Sequence, residues 1–239
     1  MGDSLGDRIK RYEAAYNQKL TPRMPVMIRV DGRAFHTLTK DMDRPFDFTL
    51  MSAMEWATGG TAREMQGFKL AYTQSDEATF LIADTDNYDT QGWFNYAVNK
   101  LVSLSASIFT AYFNDFMKFW DKPVLATFDA RAFNIPAEDA PNAFIWRQRD
   151  WERNSLQMLA RHHFPHKELH GKKRHELHEM LHGIGVNWAH LTPRERNGTF
   201  ILRDGTVVQE KADYEQIATW IDPDRDAGVL GERQEHQSA

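Results

Sequence analysis

The chain is 239 residues long, with 29 Lys and Arg against 34 Asp and Glu, a formal charge of −5 and 41% hydrophobic residues. It has no cysteine, which removes disulfides, thiolate nucleophiles, iron–sulfur clusters and Cys-based zinc sites together. The length suits one large domain or two small ones, the 12% aromatic content argues against wholesale disorder, and no apolar run approaches the roughly 20 residues of a membrane span. The polar start MGDSLGDRIKR lacks a signal-peptide core, so a cytoplasmic protein with no membrane partner is expected. The acidic balance by itself argues weakly against a nucleic-acid partner.

Ile9, Tyr12 and Tyr16 fall at helical spacing and predict a helix over 7–18. Pro22 and Pro25 end it, and the apolar run Val26 to Val30 predicts a buried strand, broken by Asp31-Gly32-Arg33. A helix is expected over 48–65, bent at Gly59-Gly60. Two apolar runs, 68–72 and 78–83, flank the polar tip Thr73 to Glu77 and predict a β-hairpin. The stretch 93–119 predicts one long helix, 124–135 a strand or strand pair, 142–160 a helix and 172–181 a shorter one. Around Asp204-Gly205 the runs 199–202 and 206–208 predict a terminal hairpin. The order of elements is that of an α+β layer fold. Residues 1–221 are expected to form a single catalytic domain with a C-terminal extension, and 222–239 a polar, flexible tail.

Asp31 closes one predicted strand, and Asp76 and Glu77 occupy the tip of the hairpin, so the three carboxylates can converge at one sheet edge. Hard cations such as Mg²⁺ take oxygen ligands, typically one or two carboxylates plus waters and substrate phosphates. Two such ions about 3.5–4 Å apart serve phosphoryl transfer by activating the attacking oxygen and stabilising the leaving one. Gly32 allows close backbone approach, and the stretch to His36 can open a helical turn whose amides favour phosphate. On residue types alone, Asp-Gly and Ser-Asp-Glu also read as ordinary polar turns.

The stretch MIRVDGRAFHTLTK, then Pro45 and Asp47, then AYTQSDEATFLI, resembles the tRNA-histidine guanylyltransferase family and its guanylyltransferase-like relatives. DRIKRYE, Lys100, FDARAFNIP and WRQRDWERN extend the likeness in collinear order from about Asp7 to Leu202. The resemblance implies a polymerase-palm-like (ferredoxin-like) antiparallel sheet backed by helices, and nucleotide addition in the 3′-to-5′ direction at a tRNA 5′ end. It implies Asp31 and Asp76 as carboxylate ligands of two Mg²⁺ ions, Gly32 as a carbonyl ligand, and Glu77 as a catalytic neighbour. Gly32, Arg33, Ala34, Phe35, His36, Ser75 and Lys100 would join the two aspartates in binding the triphosphate of ATP, GTP or another NTP. Arg44 stands where the family has Lys, which keeps charge but changes donor geometry. Assembly as a homo-oligomer, a tetramer, is also implied.

One motif departs. After WRQ the guanylyltransferases proper carry His-Ile-Asn-Asn-Leu-Tyr-Asn, whereas this chain has Glu152-Arg153-Asn154-Ser155-Leu156-Gln157-Met158. In this the chain resembles the guanylyltransferase-like branch, whose members favour template-directed repair of truncated tRNA 5′ ends, and the resemblance implies repair rather than dedicated tRNA-histidine maturation. A guanylyltransferase proper is the alternative, and a nucleotidyl cyclase shares the palm and its paired carboxylates.

Eight of the ten histidines lie between His162 and His190, and His178, Glu179 and His182 fit H-E-x-x-H, the zinc-protease pattern. Trp188 stands where the longer zincin pattern has its third His, and Gly183 is a helix stop. Between Arg147 and Arg174 there are eight basic residues against three acidic, a local positive excess suited to RNA. Arg147, Arg153, Asn154, Lys172, Lys173 and Arg174 are its candidate RNA contacts, with a plain solvated surface as the other reading.

Overall fold

The computed structural model describes residues 4–120 and 125–224. Helix α1 (Leu5–Ala14) is capped by Ser4, and strand β1 (Val26–Gly32) follows. A short turn of helix, α2 (Phe35–Leu38), and helix α3 (Phe48–Glu64) lead to the hairpin β2 (Phe68–Gln74) and β3 (Glu77–Ile82). Helix α4 (Val98–Met117) precedes β4 (Phe128–Asn134) and the long helix α5 (Ala140–His163). The described residues continue with α6 (His166–Leu169), α7 (Arg174–Gly183), α8 (Pro193–Asn197), β5 (Thr199–Leu202), β6 (Val207–Val208) and α9 (Tyr214–Ile221).

Among the described residues, six strands form one antiparallel sheet in the order β4-β1-β3-β2-β5-β6. The first four, with α3 and α4 as connections, give the ferredoxin-like arrangement expected of a palm. Side chains alternate across a strand, and β1 uses both faces. Val26, Ile28 and Val30 enter a core with Phe80, Phe109 and Phe113 under α3 and α4. Met27 enters a second core with Tyr72, Phe144 and Phe200 under α5 and α9. Burial on both sides is why this strand reads as a continuous apolar run rather than an alternation. A third cluster, Leu156, Leu159, Ala160, Leu177 and Leu181, seats α7 on the far half of α5.

Several expectations are corrected. Gly59-Gly60 does not bend α3, because the pair allows close packing instead: a Cβ on Gly60 would lie 2.6 Å from the Tyr112 ring on α4. The helix expected from Trp93 begins only at Val98, since Phe94, Asn95 and Tyr96 all take positive φ. The segment Gln18 to Leu20 pairs there with the backbone of Tyr96 and Val98, at 3.0 and 2.9 Å, and holds it out of the helix. The strand expected from Val124 begins at Phe128, and Val124 lies outside the described residues. Helix α9 was not anticipated, although Asp213 and Gln216 form a capping box at its start. Most of the tail expected from Asp222 lies outside the described residues. Among those described, no helix is long and apolar enough to cross a membrane.

Candidate active site

Val30 turns toward α3 and α4, so the next residue, Asp31, faces the α5 side at the end of β1. Its cross-strand neighbours on that side are Glu77 on β3 and Asp129 on β4. The β2–β3 turn is two residues long, with Ser75 in the left-handed region at φ 50°. This conformation is costly for a residue with a Cβ. It is held by the ladder on either side and by the Gly32 amide, which donates to the Asp76 carbonyl at 2.9 Å. The Ser75 hydroxyl donates to the Asp76 carboxylate at 2.9 Å. Burial pushes the Asp76 carboxyl up, the Ser75 hydrogen bond pulls it down, and the negative charge of Asp31 adds to the rise. Neither carboxylate forms a salt bridge among the described residues. A pair of mutually repelling carboxylates without a salt bridge fits a hard divalent ion.

Beyond Gly32 the chain turns through Ala34, at φ 55°, into α2. The Arg33 amide is spent on the Thr127 carbonyl. Gly32 serves a second need: a Cβ there would stand 2.3 Å from the Phe35 ring. That ring is buried against Phe113 and Phe128, with centroids 5.6 and 5.1 Å away. Phe35, expected to bind nucleotide, has its ring buried in the core under α4. Beside the carboxylates opens a cleft of about 330 Å³, lined by His36, Arg44, Asp47, Gln74, Asp76 and Trp151 among others. Arg44 is anchored by a 2.9 Å hydrogen bond to the Thr39 carbonyl.

Glu77 sits differently from Asp31 and Asp76. It is buried, with Nη2 of Arg147 donating to Oε2 at 2.8 Å and Nε lying 2.7 Å from Oε1, while Arg29 stands 3.8 Å away. Burial still pushes its carboxyl up, against the opposing pull of Arg147 and Arg29. Glu77 is thus engaged with cations and couples α5 to the hairpin. Arg147 is corrected with it: expected on an RNA surface, it is buried, paired with Glu77 and Asp150, and stacked 4.5 Å over Trp146. Lys100 is not brought to the carboxylates either. It lies in the first turn of α4, about 20 Å along the helix from Phe113, the residue that meets Phe35.

Of the remaining candidate RNA contacts, Arg153 is exposed beside Asp150, and Asn154 donates to Asp150 at 3.4 Å. Lys172 pairs with Glu176 at 3.2 Å, Lys173 is exposed at the start of α7, and Arg174 is 3.9 Å from Glu152. His178 and His182 do share α7, but among the described residues no group of three or more His, Asp or Glu is arranged to hold a metal. His178 packs 6.0 Å from Trp188, and burial, with Arg174 and His182 nearby, pushes its imidazole down. The H-E-x-x-H match is therefore a helix face without a third ligand.

Sequence reasoning missed Gln74 and Trp151 in the cleft and Arg29 behind it. The available signal was the spacing Arg147, Trp151, Ser155, which puts all three on the buried face of α5.

The family model described as tRNAHis guanylyltransferase matches residues 6–136, more than half of the chain. The chain belongs to that family. A bacterial guanylyltransferase-like protein solved in complex with ATP superposes with a TM-score of 0.88 at 39% identity, over 92% of this chain and 100% of that one. A bacterial guanylyltransferase-like protein in complex with GTP gives 0.76 at 36% identity, over 92% and 98%. The tRNA(His) guanylyltransferase of Schizosaccharomyces pombe is 29% identical over 222 residues, 85% of this chain and 82% of the relative. This membership makes the protein a nucleotidyltransferase and sets aside both the cyclase and the protease readings.

Proposed function

We propose that the protein adds nucleotides to tRNA 5′ ends in the 3′-to-5′ direction, directed by the opposite strand, and so repairs truncated 5′ ends. The observation that carries this is the tie between Gly32 and Asp76, which brings two unpaired carboxylates together beside a cleft of nucleotide size. The replacement of the His-Ile-Asn-Asn motif by Glu152-Arg153-Asn154-Ser155 favours repair over dedicated tRNA-histidine maturation.

Asp31, Asp76 and the Gly32 carbonyl would hold Mg²⁺. When bound, such ions supply positive charge that eases formation of the attacking alkoxide and offsets the charge of departing pyrophosphate. The residues of the chain bind and orient. Arg44 and His36 receive the triphosphate, and Ser75 orients the Asp76 carboxylate. The Glu77–Arg147 pair keeps the hairpin tip seated on α5. A 5′-monophosphate end takes a nucleotidyl group from ATP, with release of pyrophosphate. The 3′-hydroxyl of the incoming NTP then forms a new phosphodiester at that phosphate and expels AMP. A 5′-triphosphate end needs no activation and loses pyrophosphate directly.

The tRNA backbone would lie along Arg153, Lys172, Lys173 and Arg174, in the cytoplasm where tRNA is available. Self-association is part of the same reading and is supported by α1, which leaves Leu5, Ile9 and Tyr12 exposed. Incubation of 5′-truncated tRNA with labelled NTPs and Mg²⁺, followed by mapping of the extended end, tests the proposal. Templated 5′ extension supports it, and addition confined to intact tRNA-histidine would overturn the repair reading.

A further inference from the structure

Where α5, α6 and α7 meet, the surface holds a notch of about 220 Å³ that shares no residue with the cleft beside Asp76. Arg161 contributes from the end of α5, His166 and His170 from α6 and its end, and Lys172 from the link to α7. Every ionisable residue of the lining is basic, and all four are exposed. The floor is apolar and fixed, because Ala160 and Leu177 belong to the third buried cluster and Leu169 packs against it. Arg161 lies about 20 Å along α5 from Arg147, the residue that meets Glu77.

The positive charge of the notch is scarcely neutralised from within. Among the described residues Arg161, His166 and His170 form no salt bridge, and Lys172 has one, to Glu176 at 3.2 Å. His166 and His170 stand one helical turn apart, with ring centroids separated by 6.2 Å. The Lys172 amide donates to the Leu169 carbonyl at 3.1 Å, which folds the link back toward α6. The other charged residues of α6, Lys167 and Glu168, lie outside the lining. Glu176 on α7 keeps its charge near neutral pH, since the Lys173 amide and Lys172 hold its carboxyl below the usual range.

Such a notch suits an oxyanion. Guanidinium, ammonium and imidazole all donate to phosphate, and charged donors bind about twice as strongly as neutral ones. Lys172 also belongs to the basic stretch that ends at Arg174, so the notch continues the surface assigned above to tRNA. A polyanion spans both, which a free phosphate does not.

We propose that this notch seats a phosphate of the RNA backbone, and that His166 and His170 make RNA affinity rise as pH falls. The inference rests on the function proposed above and adds a proton linkage to it. Imidazole is the side chain whose charge changes between pH 5 and 8. A phosphate beside the two rings favours their protonated forms, so binding takes up protons. Without the anion, the same protonation sets two like charges one turn apart, beside Arg161 and Lys172. The added positive charges also steepen the salt dependence of binding.

The test measures binding of a 5′-truncated tRNA at pH 6.0, 7.0 and 8.0 and at several salt concentrations. The RNA carries a 5′-hydroxyl, so that no terminal phosphate titrates in this range. Wild type, the double variant His166→Gln with His170→Gln, and the control His182→Gln are compared, with melting curves confirming that each is folded. Wild-type affinity is expected to be about ten-fold higher at pH 6.0 than at pH 8.0, the scale of making neutral hydrogen bonds charge-assisted. Its slope of log K against log salt should be larger at pH 6.0 by about 1–2. In the double variant both differences largely vanish, while His182→Gln, which lies outside the notch, keeps them. A folded double variant with the wild-type pH profile overturns the inference, as does a wild-type affinity that is flat from pH 6.0 to 8.0. Inorganic phosphate that binds the wild type but not the double variant, and displaces no RNA, assigns the notch to a free anion and also overturns it. A wild type that binds no tRNA at any of these pH values overturns the functional reading as well, so the two failures are distinguishable.

Discussion

Gly32 donates its backbone N–H to the Asp76 carbonyl at 2.9 Å, so one main-chain bond ties the end of β1 to the tip of the β2–β3 hairpin. That bond brings together the backbones that carry Asp31 and Asp76, residues separated in sequence by α2, α3 and β2. The ladder and the bond hold the pair at a cost: Asp76 is desolvated and faces a like charge.

The cost should be measurable. A carboxylate whose folded pKa is raised above its unfolded value binds protons more tightly in the folded state, so stability falls as pH rises between the two values and stays lower above them. Asp76→Asn removes that penalty. Without divalent ions at pH 7 the variant should melt at a higher temperature than the wild type. The difference should shrink as pH falls through the raised range of Asp76 toward its ordinary 3.8. Activity should be lost, and melting curves at pH 7 and pH 4 check the sign.

Removing one partner of the Glu77–Arg147 pair leaves a buried charge uncompensated. Arg147→Ala is expected to destabilise by about 3–5 kcal/mol, lowering Tm by about 10 °C. The double variant Glu77→Gln with Arg147→Met should recover much of that loss. A double-mutant cycle by chemical denaturation measures the coupling.

Gly32 is limited by packing rather than by φ, since only its Cβ position conflicts with Phe35. Phe35 cannot retreat, because Phe113 and Phe128 hold its ring. Gly32→Ala should therefore cost about 1–3 kcal/mol. Adding Phe35→Leu to Gly32→Ala should relieve part of it, as judged by urea midpoints.

How far the sequence specified this arrangement differs from residue to residue. The strand Val26–Val30, the hairpin and the carboxylates at their ends were legible because an apolar run followed by a polar break is a local signal. The role of Gly60 was not, because it depends on Tyr112 from a helix some 50 residues away, and the sequence there shows only a helix breaker. Arg147 was misread for a related reason. A basic residue in a basic stretch suggests surface, and its burial follows only from a carboxylate 70 residues earlier on another element. Lys100 was placed by resemblance, and the geometry of α4 keeps it at the other end of the sheet.

The exposed basic residues have a separate signature. Replacing Lys172, Lys173 and Arg174 together with Gln should lower tRNA affinity across sequences and reduce the slope of log K against log salt by about 2–3, roughly one unit per lost phosphate contact. Binding isotherms at several salt concentrations give the slope directly.

The central claim is that Asp31 and Asp76 together carry templated addition at a tRNA 5′ end. It is tested most directly by single-turnover extension of a 5′-truncated tRNA with labelled NTPs and Mg²⁺, comparing the wild type with Asp31→Ala and Asp76→Ala. The wild type should add the templated nucleotides, and each variant should lose more than about 100-fold in rate, beyond what is usual for residues that merely support a metal ligand. Extension at the wild-type rate by either folded variant would contradict the account.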